Sequence, residues 1–111
     1  MLDDSNPRID QLLFMIIEHF RKGDARPVYE RFRKSGRLAP DGLHYINSWV
    51  SSDLSHCYQV MECEDRALLA QWISAWEDLV DFEVHAVVTS ADAAARVTGA
   101  VPVGIIPPAS L

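Results

Sequence analysis

The residue type and setting that stand out for chemistry belong to Glu18, a carboxylate inside the apolar run Leu12-Leu13-Phe14-Met15-Ile16-Ile17-Glu18-His19-Phe20. Burial raises a carboxyl pKa, and an acid tuned in this way serves as a general base or as an anchor for a ligand. The structural alternative is a strand-end residue near a rim, salt-bridged to Arg21 or to a partner. His85 is the second catalytic candidate. Strand alternation allows it to meet Glu18 or Gln59 across a cavity and carry a proton near neutral pH, whereas at a solvated rim it does nothing of the kind. Tyr45, Trp49 and Gln59 are the ligand-binding candidates, with Trp49 and Tyr45 offering flat surfaces to an organic molecule. The structural reading of the two aromatics is plain dimer packing. Trp72 and Trp76 lie four apart on a helical pattern and are read as core, with a stacking platform as the sharper alternative.

Other chemistries find no support in the sequence. The four histidines, His19, His44, His56 and His85, show no metal-ligand spacing, and no metal or cofactor is expected. Glycine-rich phosphate loops, nucleophile elbows and HExxH patterns are absent. Cys57 and Cys63 lie six positions apart in one predicted strand, which separates them by roughly 20 Å and rules out a bridge. Reduced, buried thiols suit a cytoplasmic protein. A net charge of −6 argues against nucleic acid as a partner. The sequence contains no apolar run long enough to span a membrane, and Met1–Pro7 lacks the order of a secretion signal.

The elements that must position these residues follow from periodicity and turn signals. Residues 1–10 read as a disordered leader and residues 98–111 as a tail, loose or packed on a partner. The domain between them spans 11–97. A first strand over 11–20 ends at Gly23-Asp24. A helix capped by Asp24, with Pro27 in its first turn, runs to Ser35 and stops at Gly36. Pro40-Asp41-Gly42 makes a turn. Strands over 43–50 and 56–62 are joined by the hairpin loop 51–55. Asp65 caps a second helix carrying Leu69, Trp72, Ile73, Trp76 and Val80 at spacings of three and four. A fourth strand covers 82–89, and Ser90 caps a short helix that runs through Arg96.

The order βαββαβ gives an α+β, ferredoxin-like unit: a four-stranded antiparallel sheet with two helices on one face. The helix side is assigned Met15, Ile17, Ile46, Val60, Val84, Ala86 and Val88. The opposite face then holds Phe14, Ile16 and Glu18; Tyr45, Asn47 and Trp49; Cys57, Gln59 and Met61; and Glu83, His85, Val87 and Thr89. That set is too apolar for water, since burying Phe14, Ile16, Trp49 and Met61 is worth roughly 1.5–3 kcal/mol apiece. A twin subunit stacked face to face supplies the cover, and a cavity of mixed polarity lies between the two sheets.

Several segments resemble a known family. They are Phe14–Phe20, Gly23–Phe32, Ser48-Trp49-Val50, Cys57–Glu62, Trp72-Ile73 with Trp76, and Leu79–Val84. Together they are similar to the small bacterial domain-of-unknown-function family 3303, related in fold to the dimeric α+β barrel superfamily. The resemblance covers about Leu12 to Ser90 and implies a dimeric α+β barrel. The superfamily includes cofactor-free monooxygenases, haem-degrading enzymes, isomerases and stress-response proteins, a range too wide to transmit one chemistry.

The expectation is a small, non-catalytic homodimer that binds a small organic ligand between its sheets. The alternative is a cofactor-independent monooxygenase- or isomerase-type enzyme acting on an aromatic or polyketide-like substrate, with Glu18 and either His85 or Gln59 at work. A third reading uses charge: Arg21 to Arg37 holds seven basic and two acidic residues. This basic helix face suits solvent, an anionic partner, or the acidic group Glu77, Asp78, Asp81 and Glu83 of a neighbouring copy.

Overall fold

The computed structural model describes residues 11–99. The expected leader, residues 1–10, and residues 100–111 of the expected tail lie outside the described residues. The first strand, β1 (Leu12–Phe20), is followed by a short 3₁₀ turn at Arg21–Gly23. Next come α1 (Arg26–Ser35), β2 (His44–Val50), β3 (His56–Cys63), α2 (Arg66–Ser74), β4 (Val80–Val87) and α3 (Ser90–Thr98). The four strands form one sheet in the order β2-β3-β1-β4, antiparallel at every pairing. This is the α+β, ferredoxin-like architecture.

Local chemistry explains most of the boundaries. Asp65 accepts the Ala67 N–H at 2.9 Å and caps α2. Pro40 accepts the Leu43 N–H at 3.1 Å, closing the Pro-Asp-Gly turn. Asp24 accepts the Arg26 N–H at 3.0 Å, but α1 begins one residue later than an Asp24 cap implies, with Ala25 at its cap. Val80 belongs to β4 and not to α2. The helix ends at Ser74, and i→i+3 bonds at Trp76 and Leu79 turn the chain back toward the sheet. The apolar spacing therefore continues through a turn after the helix has stopped. Thr89, not Ser90, caps α3 by accepting the Asp92 N–H at 3.0 Å.

The faces of β1 and β3 are the reverse of the sequence assignment. Phe14, Ile16 and Phe20 lie in one cluster with Cys57, Met61, Cys63, Leu69, Trp72 and Trp76, on the side covered by α1 and α2. Register explains why. Ile16 stands between Gln59 and Val84, and Phe14 between Met61 and Ala86. Paired residues share a face, so the helix side of β4 (Val80, Phe82, Val84, Ala86) takes Phe14, Ile16, Glu18 and Phe20 with it.

Met15, Ile17 and Val60 point the other way and are half-buried. On β2 the register shifts between Tyr45 and Asn47, so Ile46 bulges outward, 51% exposed. The bulge puts Tyr45 and Ser48 on the helix side while leaving Asn47 and Trp49 on the open face. Ile46 is thereby removed from the helix-side set, and Tyr45 from the open-face set.

Candidate functional site

Between the sheet and the helices lies a cavity of about 210 Å³. Its polar floor comes from the sheet: Glu18 from β1, Cys57 and Gln59 from β3, and Ser48 from β2. Its walls are the rings of Tyr29 and Phe32 on α1, Phe20 on β1, and Trp72 and Trp76, with Val28 and Val50 between them. Arg37, from the loop after α1, supplies the cationic edge.

The polar groups form a chain. Gln59, 1% exposed, donates from Nε2 to Glu18 Oε2 at 2.6 Å, and its Oε1 accepts from Arg37 Nη1. The amide of Gln59 is oriented by having a carboxyl at one end and a guanidinium at the other. Glu18 is buried, and this burial lifts its pKa from 4.5 to about 7. The Arg37 charge, followed by the Gln59 hydrogen bond, pulls against that rise. Cys57 pairs with Glu18 across the strands, and burial pushes its thiol up to about 12, so it is a neutral part of the floor. Burial also raises the Tyr29 phenol, and the nearby Cys57 and Glu18 add to the rise.

Arg37 is held at both ends. Its carbonyl accepts the indole N–H of Trp72 at 3.1 Å and that of Trp76 at 2.9 Å. Its guanidinium lies 3.7 Å from the centre of the Tyr45 ring and 5.2 Å from that of Phe32. Tyr45 in turn shares a 2.6 Å hydrogen bond with Ser48. On the outer side, Arg31 joins α1 to the segment after α2, donating to Asp78 at 2.7 and 2.8 Å and to the Ala75 carbonyl at 3.0 Å.

The structure thus brings together Glu18, Gln59 and, through Arg37, Tyr45. It does not bring His85 or Trp49 to them. His85 lies on the open face, where it and His19 share the Glu83 carboxylate at 2.7 and 3.1 Å and hold that acid below its usual range. Trp49 is 56% exposed on that face, across from Tyr58. A Glu18–His85 proton relay is excluded because the sheet separates them. Glu18 is not a rim residue paired with Arg21 either, since Arg21 meets Asp81 at 3.1 Å.

The acidic group is largely paired within the chain: Asp78 with Arg31, Asp81 with Arg21, and Glu83 with His19 and His85. Head-to-tail contacts between copies lose their main basis. Cys57 and Cys63 are both free and buried.

Sequence reasoning missed Arg37 and the pocket roles of Tyr29, Phe32 and Ser48. Trp72 and Trp76 lie in the core, as their spacing predicts, and the same four-residue spacing lets both indoles reach one carbonyl. Among the described residues, no group of three or more His, Cys, Asp or Glu side chains is arranged to hold a metal ion, and no helix is long and apolar enough to cross a membrane.

Fold and site define a ferredoxin-like α+β domain with an acid–amide–guanidinium chain buried under its helices. The chain belongs to the family described as domain of unknown function (DUF3303), whose model matches residues 12–101. In solved structures it is similar to an uncharacterized NIPSNAP-like domain protein from Burkholderia xenovorans. Identity is 14%, the TM-score is 0.50, and the match covers 72% of this chain and 85% of that one. At that identity the likeness speaks to fold alone. No curated protein matches the chain.

Proposed function

We propose that this protein binds a small organic molecule in the pocket between sheet and helices, and that it does so as a cytoplasmic homodimer joined through the open sheet face. The observation that carries the binding reading is a buried carboxyl kept near neutrality by its surroundings and linked through Gln59 to Arg37 inside an aromatic-walled cavity. Buried polar chains are costly unless fully satisfied, and a few convergent polar groups among apolar walls are what a small-molecule site requires. This moves the ligand from the space between two sheets to the helix side of each subunit.

The dimer rests on a different surface. The open face presents Leu13, Met15, Ile17, Val60 and Val87, all half-buried, beside exposed Tyr58 and Trp49. An apolar sheet face of this kind is normally covered, and the fold is of a kind that often dimerises. The free, buried thiols support a reducing compartment.

A second reading is favoured by Glu18 itself. An acid with a pKa of about 7 beside a hydrogen-bonding amide and a guanidinium suits a general base for cofactor-independent isomerase- or oxygenase-type chemistry.

Native mass spectrometry of protein purified from its own host tests the binding reading. A small molecule retained at one per subunit supports it, and a clean, ligand-free mass on gentle isolation contradicts it. If the retained molecule is turned over, Glu18→Gln should bind it and leave it unconverted.

A further inference from the structure

We propose that the pocket is selective for a small single-ring organic anion, whose carboxylate or equivalent group engages the guanidinium of Arg37 while its ring lies among Trp72, Trp76 and Phe32. The inference rests on the pocket being a ligand site and adds the charge and size of the ligand.

Arg37 is the reason. Arg21, Arg26 and Arg31 each meet a carboxylate. The guanidinium of Arg37, by contrast, has no carboxylate within 4.0 Å among the described residues, and its hydrogen-bond partner is the neutral amide of Gln59. A guanidinium has five N–H donors in a fixed fork, so most of its capacity is unspent. The group is also held in place: its guanidinium lies over the Tyr45 ring, near Phe32, and bonds to Gln59, and the two indole bonds hold its backbone. A half-buried cation in a preset position with spare donors is complementary to a carboxylate. The cavity volume of about 210 Å³ lies below the roughly 300–1,000 Å³ of pockets for drug-sized ligands. That leaves room for one ring and a short polar group.

Glu18 sets when the anion enters. The charged or titratable groups facing it are Arg37 from the loop, Cys57 from β3 and Tyr29 from α1. The last two are neutral across the physiological range, with burial raising both. With Glu18 protonated the pocket carries the Arg37 charge alone and welcomes an anion. With Glu18 ionised the two charges cancel and the anion meets a carboxylate. Binding is therefore linked to uptake of one proton at Glu18. The protonated fraction of a group titrating at about 7 falls roughly tenfold between pH 6 and pH 8.

The test uses the full chain and three probes sharing one ring: benzoate, benzamide and benzylammonium. Dissociation constants are read from the side-chain amide resonances of Gln59. Benzoate should bind at least tenfold more tightly than benzamide at pH 6 and lose roughly tenfold by pH 8. Glu18→Gln should flatten that pH dependence. Arg37→Gln should erase the preference for benzoate, while Arg37→Lys keeps part of it. Both Arg37 variants retain the carbonyl that the indoles use. Benzamide or benzylammonium matching benzoate at Gln59 overturns the anion inference and leaves the pocket reading standing. Silence at Gln59 with all three probes also overturns it, and the pocket reading is then decided by the retained molecule in native mass spectrometry.

Discussion

Replacing Glu18 by Gln should make the protein more stable above neutral pH, by an amount that the structure allows to be worked out. Glu18 is 7% exposed, and burial raises its pKa from 4.5 to about 7. Because the folded state binds the proton more tightly than the unfolded state, stability falls as pH rises between those two values and levels off above the higher one. At about 1.36 kcal/mol per unit, the ionised carboxylate costs roughly 3 kcal/mol of stability at pH 8, and almost nothing below pH 4.5.

Glutamine keeps the shape and still offers an oxygen to the Gln59 amide, so Glu18→Gln removes the pH-dependent part. Urea denaturation of wild type and variant, at one fixed protein concentration to hold any dimerisation constant, gives the difference as a function of pH. The difference should grow from pH 4.5 and flatten above about 7. A flat difference, or one that shrinks as pH rises, refutes the reasoning. A shrinking difference would mean that Arg37 stabilises the carboxylate by more than burial penalises it.

Three further outcomes are expected. Trp76→Phe removes the 2.9 Å bond to the Arg37 carbonyl and part of a buried ring, costing about 2 kcal/mol in chemical denaturation and loosening Arg37 over Gln59. Asp65→Ala deletes the cap on the Ala67 N–H and should cost about 1 kcal/mol, with the pocket and its probe affinities unchanged. Ile17→Asp places a charge in the middle of the open face. It should convert the proposed dimer to a monomer in sedimentation velocity at micromolar concentration; a wild-type protein that already sediments as a monomer removes the dimer from the account.

The order of elements was legible because each of its signals is local: Gly36 after a helical run, Pro-Asp-Gly before a strand, and Asp65 ahead of an apolar stripe. Which face of β1 is buried was not legible, because Phe14/Ile16 and Met15/Ile17 are equally apolar alternations of one strand. Only the register with Val84 and Ala86 decides between them, and register is a long-range property. The bulge at Ile46 carries no sequence mark, yet it moves Tyr45 to the helix side.

Glu18 was legible as an acid in the wrong surroundings, and Gln59 as a residue that strand alternation puts on the same sheet face as Glu18. Arg37 was one basic residue among seven in the Arg21–Arg37 stretch. What singles it out is a carbonyl shared by two indoles more than thirty residues away, and no local pattern announces such a contact.

The chain's three tryptophans provide the most direct measurement of where a ligand sits. Trp72 and Trp76 wall the helix-side pocket, and Trp49 stands on the opposite sheet face. In ¹⁵N-tryptophan-labelled protein titrated with the single-ring probe that binds best, the indole signals of Trp72 and Trp76 should move together while that of Trp49 stays in place. Movement of Trp49 with the other two unshifted would put the ligand on the open face and contradict the account.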